Sequence, residues 1–341
     1  MSPSRQDETI RLAHGGGGSL TQALVRDVFL ASFGDSELAR LNDSALLDTA
    51  AGRIAFTTDS FVVQPLFFPG GDIGRLAVCG TVNDLAVTGA VPVALSAGFI
   101  LEEGLPLDDL KRIVRSMAEA AAEAGVRIVT GDTKVVQKGK GDGVFINTAG
   151  IGVFPEGRTP VTGSGARPGD AVIVSGPLGR HGMAVVLARE DLGLSSDIQS
   201  DAAPLNGMLR KPLESVPGLH AMRDATRGGL GVVLNEIAEQ SGVGMELEED
   251  RIPVPEDVRS ACEILGFDPL YAANEGVVAA CVAEENADAW VRMMAESPYG
   301  KQAAMIGRVT EKSRHRVVLK TRIGSRRIVD VISGEQLPRI C

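Results

Sequence analysis

From Arg53 onward the apolar residues of this chain switch repeatedly between a period of two and a period of three to four, which restricts the fold to packed layers of strands and helices. RIAFTTDSFVV (53–63), VPVALSAGFI (91–100), RIVTGDTKVV (127–136) and GVFINTAGIGVF (143–154) read as strands, and residues 72–88 and 107–124 as helices. In the second helix Leu107, Leu110, Ile113, Met117 and Ala121 recur at helical spacing, with Leu105-Pro106 before it and Gly125 after it as start and stop signals. PEGRTPVTGSGARPGD is dense in Gly, Pro, Ser and Thr and reads as an interdomain link. Beyond it AVIVSG, the helical HGMAVVLARE, a helix over 229–240, YAANEGVVAACV and short strands to about Val331 make a second unit. A chain of 341 residues has room for two cores of ~150 residues each. The expected division is a glycine-rich arm with a short helix at 20–33 (1–37), a first domain (38–155), a second (165–333) and a flexible tail (334–341) ending in Cys341.

Composition removes several function classes. No apolar run approaches the ~20 residues of a membrane span, and the N-terminus lacks a secretory h-region, so a cytoplasmic location is the expectation. A net charge of −10 with 4% aromatics argues against a nucleic-acid surface, and a phosphate ligand has to arrive with cations. Cys79, Cys262 and Cys281 lie among Ala, Val, Ile and Leu as small buried hydrophobes do; Cys341 has no such neighbourhood. The absence of CxxC spacing excludes a clustered zinc site or a disulfide framework.

Aspartates recur beside small or hydroxyl residues at strand ends and loops: Asp43 in NDSA, Asp59 in TTDS, Asp132 in GDTK and Asp224 in DATRGG. Asn83-Asp84 interrupts the apolar helical run CGTVNDLAVTGA, where an unpaired carboxylate is costly to bury, so something must pair with it. Each aspartate alone could cap a turn or helix. Five together suit a hard cation such as Mg²⁺, which takes one or two carboxylates plus water and substrate phosphates. No GxxxxGK[ST] occurs, so a P-loop is excluded, and Gly15 to Gly18 form either a flexible arm or a phosphate cradle. Lys134 beside Asp132 and Glu275 before Gly276 have structural readings too, as a surface ion pair and a turn end.

Taken in order, NDSALL, FTTDSFVV, TVNDLAVTGA, GDTKVV, GRHGMAV, DATRGGL and ANEG resemble the PurM-like (AIR synthetase) superfamily of ATP-using enzymes, from the glycine arm to the C-terminus. Within it, the terminal PRIC together with DATRGG is similar to the HypE family of hydrogenase maturation proteins. The resemblance implies a two-domain α+β fold with mixed sheets packed with helices. It also implies a homodimer formed through the N-terminal domains and an ATP site between the domains. Asp43, Asp59, Asp84 and Asp224 would hold Mg²⁺ and the triphosphate; Asn83, Asp132 and Thr133 would line the nucleotide cleft and His181 would border it. Lys134 and Glu275 would sit near the reacting group. In that family HypF carbamoylates the terminal thiol, ATP converts the carbamoyl oxygen into a phosphate ester, and elimination leaves a thiocyanate whose cyanide passes to iron on HypC and HypD. Here that thiol is Cys341. Asn42 stands where many relatives have a second aspartate, which leaves the metal count at that loop open. A selenophosphate synthetase is disfavoured, because no cysteine precedes Cys79. The alternatives are a superfamily enzyme acting on a free small molecule and a nucleotide-switched partner-binding module.

Overall fold

The computed structural model of the chain describes residues 10, 14, 18–33, 35, 37–50, 52–189, 196–311, 317–331 and 339–341. Gly15 to Gly17 of the arm and residues 334–338 of the tail lie outside them. The expected N-terminal helix is there as α1 (Ser19–Leu24), a π-helical stretch (Val25–Leu30) and α2 (Ala31–Phe33).

The first unit contains β1 (Ala45–Thr49), β2 (Gly52–Phe61), the short pair β3 (Phe67–Phe68) and β4 (Gly71–Asp72), α3 (Ile73–Val87), β5 (Val91–Glu102), α4 (Leu107–Ala124), β6 (Arg127–Val136) and β7 (Val144–Val153). Its sheet runs β1-β2-β7-β5-β6 among the described residues. Only β5 and β6 pair in parallel there, because helix α4 carries the chain back between them. α4 has the limits its periodicity predicts, buries Ile113, Met117, Ala120, Ala121 and Ala124, and ends at Gly125 with φ 68°. α3 is apolar on all sides and buried on all sides, against the sheet, α4 and the second unit. Gly74 lets α3 meet α4: a Cβ there would stand 2.4 Å from the Ile113 carbonyl oxygen.

Asp72 caps α3, accepting from the amides of Gly74 at 2.8 Å and Arg75 at 2.9 Å. Replacing it with alanine is expected to cost about 1–2 kcal/mol in thermal or urea unfolding, with Asp72→Asn close to the parent.

The second unit holds β8 (Ala171–Val174), α5 (Arg180–Leu187), α6 (Asn206–Ser215), β9 (Leu219–Asp224), α7 (Gly229–Ser241), β10 (Gly244–Glu248), α8 (Glu256–Leu265), β11 (Val278–Val282), α9 (Glu284–Ala295), β12 (Ala304–Thr310), β13 (Val317–Lys320) and β14 (Arg326–Val329). Among the described residues the order is β14-β13-β10-β12-β8-β11-β9. α7 covers one face, burying Leu230, Val233, Leu234 and Ile237, and Trp290 of α9 lies within the core on the other. The architecture is the expected α+β one, two mixed sheets each packed with helices. α3 joins them: Ala86 and Val87 share a core with Ala203, Leu205 and Met222. Most of the candidate site residues collect along this seam.

Candidate active site

Three aspartates converge where α3 meets β2 and β9. Asp84 is in the last turn of α3, and its carboxylate accepts from the Thr57 hydroxyl at 2.7 Å. Burial, then the nearby charges of Asp224, Asp59 and Asp43, push its carboxyl well above the usual carboxylate range. Asp224 ends β9; burial and Asp43 raise it to about 8, and its Oδ2 is buried with no hydrogen-bond partner. Asp59 on β2 is raised by burial and steadied by Arg227, 3.8 Å away. The turn after Asp224 requires both glycines: Gly228 and Gly229 have φ 77° and 61°, and a Cβ on Gly229 would meet the Leu270 carbonyl oxygen at 2.6 Å.

Asp43 is not an open ligand of this group. Its Oδ1 accepts from Arg223 Nη2 at 2.7 Å and Nε at 2.9 Å. Arg223 also binds Glu236 at 2.9 Å, and Glu236 accepts from Gln22 of α1 at 3.3 Å. This chain of contacts sets the N-terminal helix over the Asn42–Ser44 loop, beside a cavity of about 320 Å³.

The end of the chain enters the same seam, which corrects the expectation of a free tail for residues 339–341. Ile340 and Cys341 are buried, with 3% and 7% of their surface exposed. The Cys341 carbonyl accepts from the Val62 amide at 3.2 Å and the Arg339 carbonyl from Gln64 at 3.1 Å, while Arg339 pairs with Asp142. Burial pushes the Cys341 thiol far up; Arg227 opposes that, and a hydrogen bond with Glu275 adds to it. Glu275, buried with Oε1 lacking a conventional hydrogen-bond partner, is itself raised by burial and by Asp59 and Asp224. Arg227 is the cation that faces this group, and Cys341 is the largest cause of its raised pKa. The expected set contains neither Arg223 nor Arg227, although both flank Asp224 in RDATRGG.

The remaining expected residues divide. His181 is buried under the tail, edge-on to Phe68 at 5.4 Å between centroids. Its Nε2 donates to the Ile340 carbonyl at 2.9 Å, which makes Nδ1 the acceptor for the Ser200 hydroxyl at 2.9 Å. Burial lowers it to about 4, so it is neutral and holds the tail. His181→Phe keeps the ring contact and removes the donor. Trimming of the C-terminus by a carboxypeptidase should then speed up by about fivefold, for the loss of a hydrogen bond worth about 1 kcal/mol. An unchanged rate would mean that His181 does not hold the tail.

Asn83 commits its side-chain amide to the backbone of the second unit. Its Nδ2 donates to the carbonyls of Ala203 at 3.0 Å and Glu275 at 3.3 Å, and its Oδ1 accepts from the Leu205 amide at 2.8 Å. It is a clamp between the two units that sets the Glu275 loop. Asp132, Thr133 and Lys134 lie on exposed edge strand β6. Asp132 is in register with Gly98, Asn147 and Ser60, on the sheet face opposite Asp59 and Phe61, and pairs with Lys134. Thr133, in register with Phe99 and Ile146, is on the helix side but exposed. Within one chain Asp132 and Lys134 are therefore not brought to Cys341.

Burial first, with the charge of Asp59 adding to it, raises both Asp84 and Asp224, Asp224 adds to the push on Asp84, and Asp224 Oδ2 is orphaned, so a cation would relieve the site. Among the described residues no three His, Cys, Asp or Glu side chains already converge as a closed metal site. One or two carboxylates completed by phosphate oxygens and water fit Mg²⁺.

The geometry and fold define a class. Residues 41–154 match the N-terminal domain of AIR synthase related proteins, and residues 167–320 their C-terminal domain. The carbamoyl dehydratase HypE of Cupriavidus necator is 54% identical over 333 residues, 97% of this chain and 95% of that protein. A solved structure of a HypE–HypF complex aligns with TM-score 0.86 at 50% identity, covering 91% of this chain and all of the other. HypE solved in complex with ATP aligns at 0.82 and 47%, covering 98% and 100%. The chain belongs to the HypE carbamoyl dehydratase family within the AIR synthase related proteins.

Proposed function

We propose that this protein dehydrates an S-carbamoyl group on Cys341 to a thiocyanate, consuming ATP, and so supplies cyanide for nickel-iron hydrogenase; its relatives are named for carbamoyl dehydration and hydrogenase maturation, and one was solved with ATP. The observation that carries this is the burial of the chain's own terminal thiol against Glu275, Arg227 and the aspartate cluster. Mg²⁺-bound ATP supplies the electrophilic phosphoryl group that turns the carbamoyl oxygen into a leaving group. Asp59, Asp84 and Asp224 are the residues to hold the metal, with Asp43 held in reserve by Arg223.

Glu275 takes one of the two protons that the carbamoyl nitrogen must lose, and the departing phosphate carries away the other. Burial is the largest cause of its raised carboxyl; a cation on the aspartates would remove the smaller part that comes from Asp59 and Asp224 and so make Glu275 a better base. Arg227 faces the oxygen that gains charge. His181 and the amides of Val62 and Gln64 hold the tail while water is excluded. Lys134 and Asp132 can contribute only across a subunit boundary or after rearrangement. The test is turnover of carbamoylated protein by Arg227→Gln and Glu275→Gln, each expected to lose at least ~100-fold. Native rates in either would remove that residue from the mechanism.

HypF is the proposed partner for carbamoylation and HypC–HypD the acceptor of cyanide. We place the protein in the cytoplasm; among the described residues no helix is long and apolar enough to cross a membrane. Of the proposed domain limits, 38–155 encloses the five-stranded sheet and the β3-β4 pair, and 165–333 the seven-stranded sheet. We also propose a homodimer through the open face of the first sheet, which exposes Phe56, Val91, Ile100, Ile151 and Val153 to between 41% and 45%. Light scattering should give a dimer mass, and Phe56→Glu with Ile151→Glu a folded monomer. A monomeric parent at micromolar concentration would count against that interface.

A further inference from the structure

A cavity of about 530 Å³ lies beside the Glu275 loop, lined by Gly276 but by neither Glu275 nor Cys341. Its lining includes Arg75, Arg180, Lys301 and Gln302, with Asp201 as the one acid among its lining residues. Arg75 is committed to the Ala202 carbonyl at 2.7 Å and to Glu123 at 3.0 Å. Arg180 and Lys301 make no hydrogen bond or ion pair to any described residue; Arg180 acts on Asp201 through its charge alone, and its Nε is buried without a partner. Two uncommitted cations lining one cavity stand out in a chain with 44 acidic and 34 basic side chains. Asp201 has Oδ1 bonded to the Glu275 amide at 3.1 Å and a buried, unpartnered Oδ2. Burial raises this carboxyl to about 6, so once protonated it becomes a further donor into the cavity.

We propose that this cavity is a second anion site, distinct from the aspartate cluster, that takes a tetrahedral oxyanion of the phosphate class between Arg180 and Lys301. A guanidinium and an ammonium without internal hydrogen bonds, beside Gln302, supply the charge-assisted donors such an anion needs. The anion has two possible sources, phosphate in solution and the orthophosphate expelled during dehydration; the second rests on the function proposed above. Because Asp201 holds the Glu275 amide, an anion bound here touches the loop that carries the base.

The test is calorimetric titration of inorganic phosphate into the full-length protein, free of magnesium and at constant ionic strength. Saturable binding is expected in the parent and in Asp224→Asn, and sulfate should compete where chloride does not. Arg180→Gln combined with Lys301→Gln should weaken binding at least ~10-fold. Mg-ATP affinity should be unchanged and the unfolding temperature should move little, since neither side chain has a hydrogen bond to lose and Arg180 acts on Asp201 only through its charge. No saturable heat up to about 10 mM phosphate, equal affinity in the double variant, or loss of binding in Asp224→Asn would overturn the proposal. Turnover measurements separate the sources: added phosphate that slows the parent but not the double variant identifies the released product as occupant, and binding without an effect on turnover identifies phosphate from solution. The calorimetry needs no catalysis, so its failure is distinguishable from failure of the dehydratase reading.

Discussion

Cys341→Ala binds Mg-ATP with the affinity of the parent yet gains no carbamoyl group and forms no thiocyanate. The expectation follows from placement. The thiol is the acceptor itself, whereas the proposed metal ligands Asp59, Asp84 and Asp224 belong to β2, α3 and the end of β9. Removing the sulfur deletes the substrate and leaves the cleft walls standing, so activity falls to background rather than by a factor. Cys341→Ser separates nucleophile from shape, because it keeps the size and a hydroxyl but replaces the sulfur. An enzyme acting on a diffusible small molecule would keep full turnover in both variants, and that outcome would make the tail incidental.

Asp224→Asn moves stability and activity in opposite directions. An aspartate at about 8 in the folded chain and ~3.9 when unfolded holds its proton more tightly in the folded state. Its contribution to stability is therefore fully present below pH ~4 and is lost as the pH rises towards 8. The metal-free protein should be less stable at pH 8 than at pH 6, and addition of Mg-ATP should restore it. With the charge removed, the metal-free variant should gain ~1–2 kcal/mol at pH 8, roughly 2–8 °C in unfolding temperature, and lose most of that pH dependence. Product formation should fall at least ~100-fold, because the metal and triphosphate lose a carboxylate. Calorimetric unfolding at the two pH values, beside a turnover assay, checks both. A variant less stable than the parent at pH 8 would mean that Asp224 is already compensated in the metal-free chain.

Where local physics decides an element, the sequence was legible. α4 declares itself through its apolar stripe and Gly125, and β6 and α3 agree with their reading to within a residue. The need for partners around Asp84 was visible because an ionised carboxylate in an apolar helix is expensive. Which partners was not. Asn83, one position earlier, sends all its amide bonds to the backbone of the second unit, a contact across more than a hundred residues that composition cannot foresee. Asp132 and Lys134 share a strand face by period two, but the choice of face depends on the register of β6 against β5. The tail carries no periodicity and reads as free. Its docking depends on Ile340 finding an apolar slot, on Cys341 reaching the buried charged groups Glu275 and Arg227, and on a buried neutral histidine beneath. Arg223 and Arg227 went unassigned although each flanks Asp224, and two arginines beside a carboxylate loop are the signal that could have found them.

The central claim is that chemistry occurs on the last residue of the chain. Mass spectrometry of the C-terminal peptide, after carbamoylation by HypF and then addition of Mg-ATP, tests it most directly. The account predicts a peptide carrying the carbamoyl group that next loses the mass of one water, with one ATP hydrolysed per conversion and no conversion in Glu275→Gln. A C-terminal peptide that keeps its carbamoyl group while ATP is consumed, or that never carries one, would contradict it.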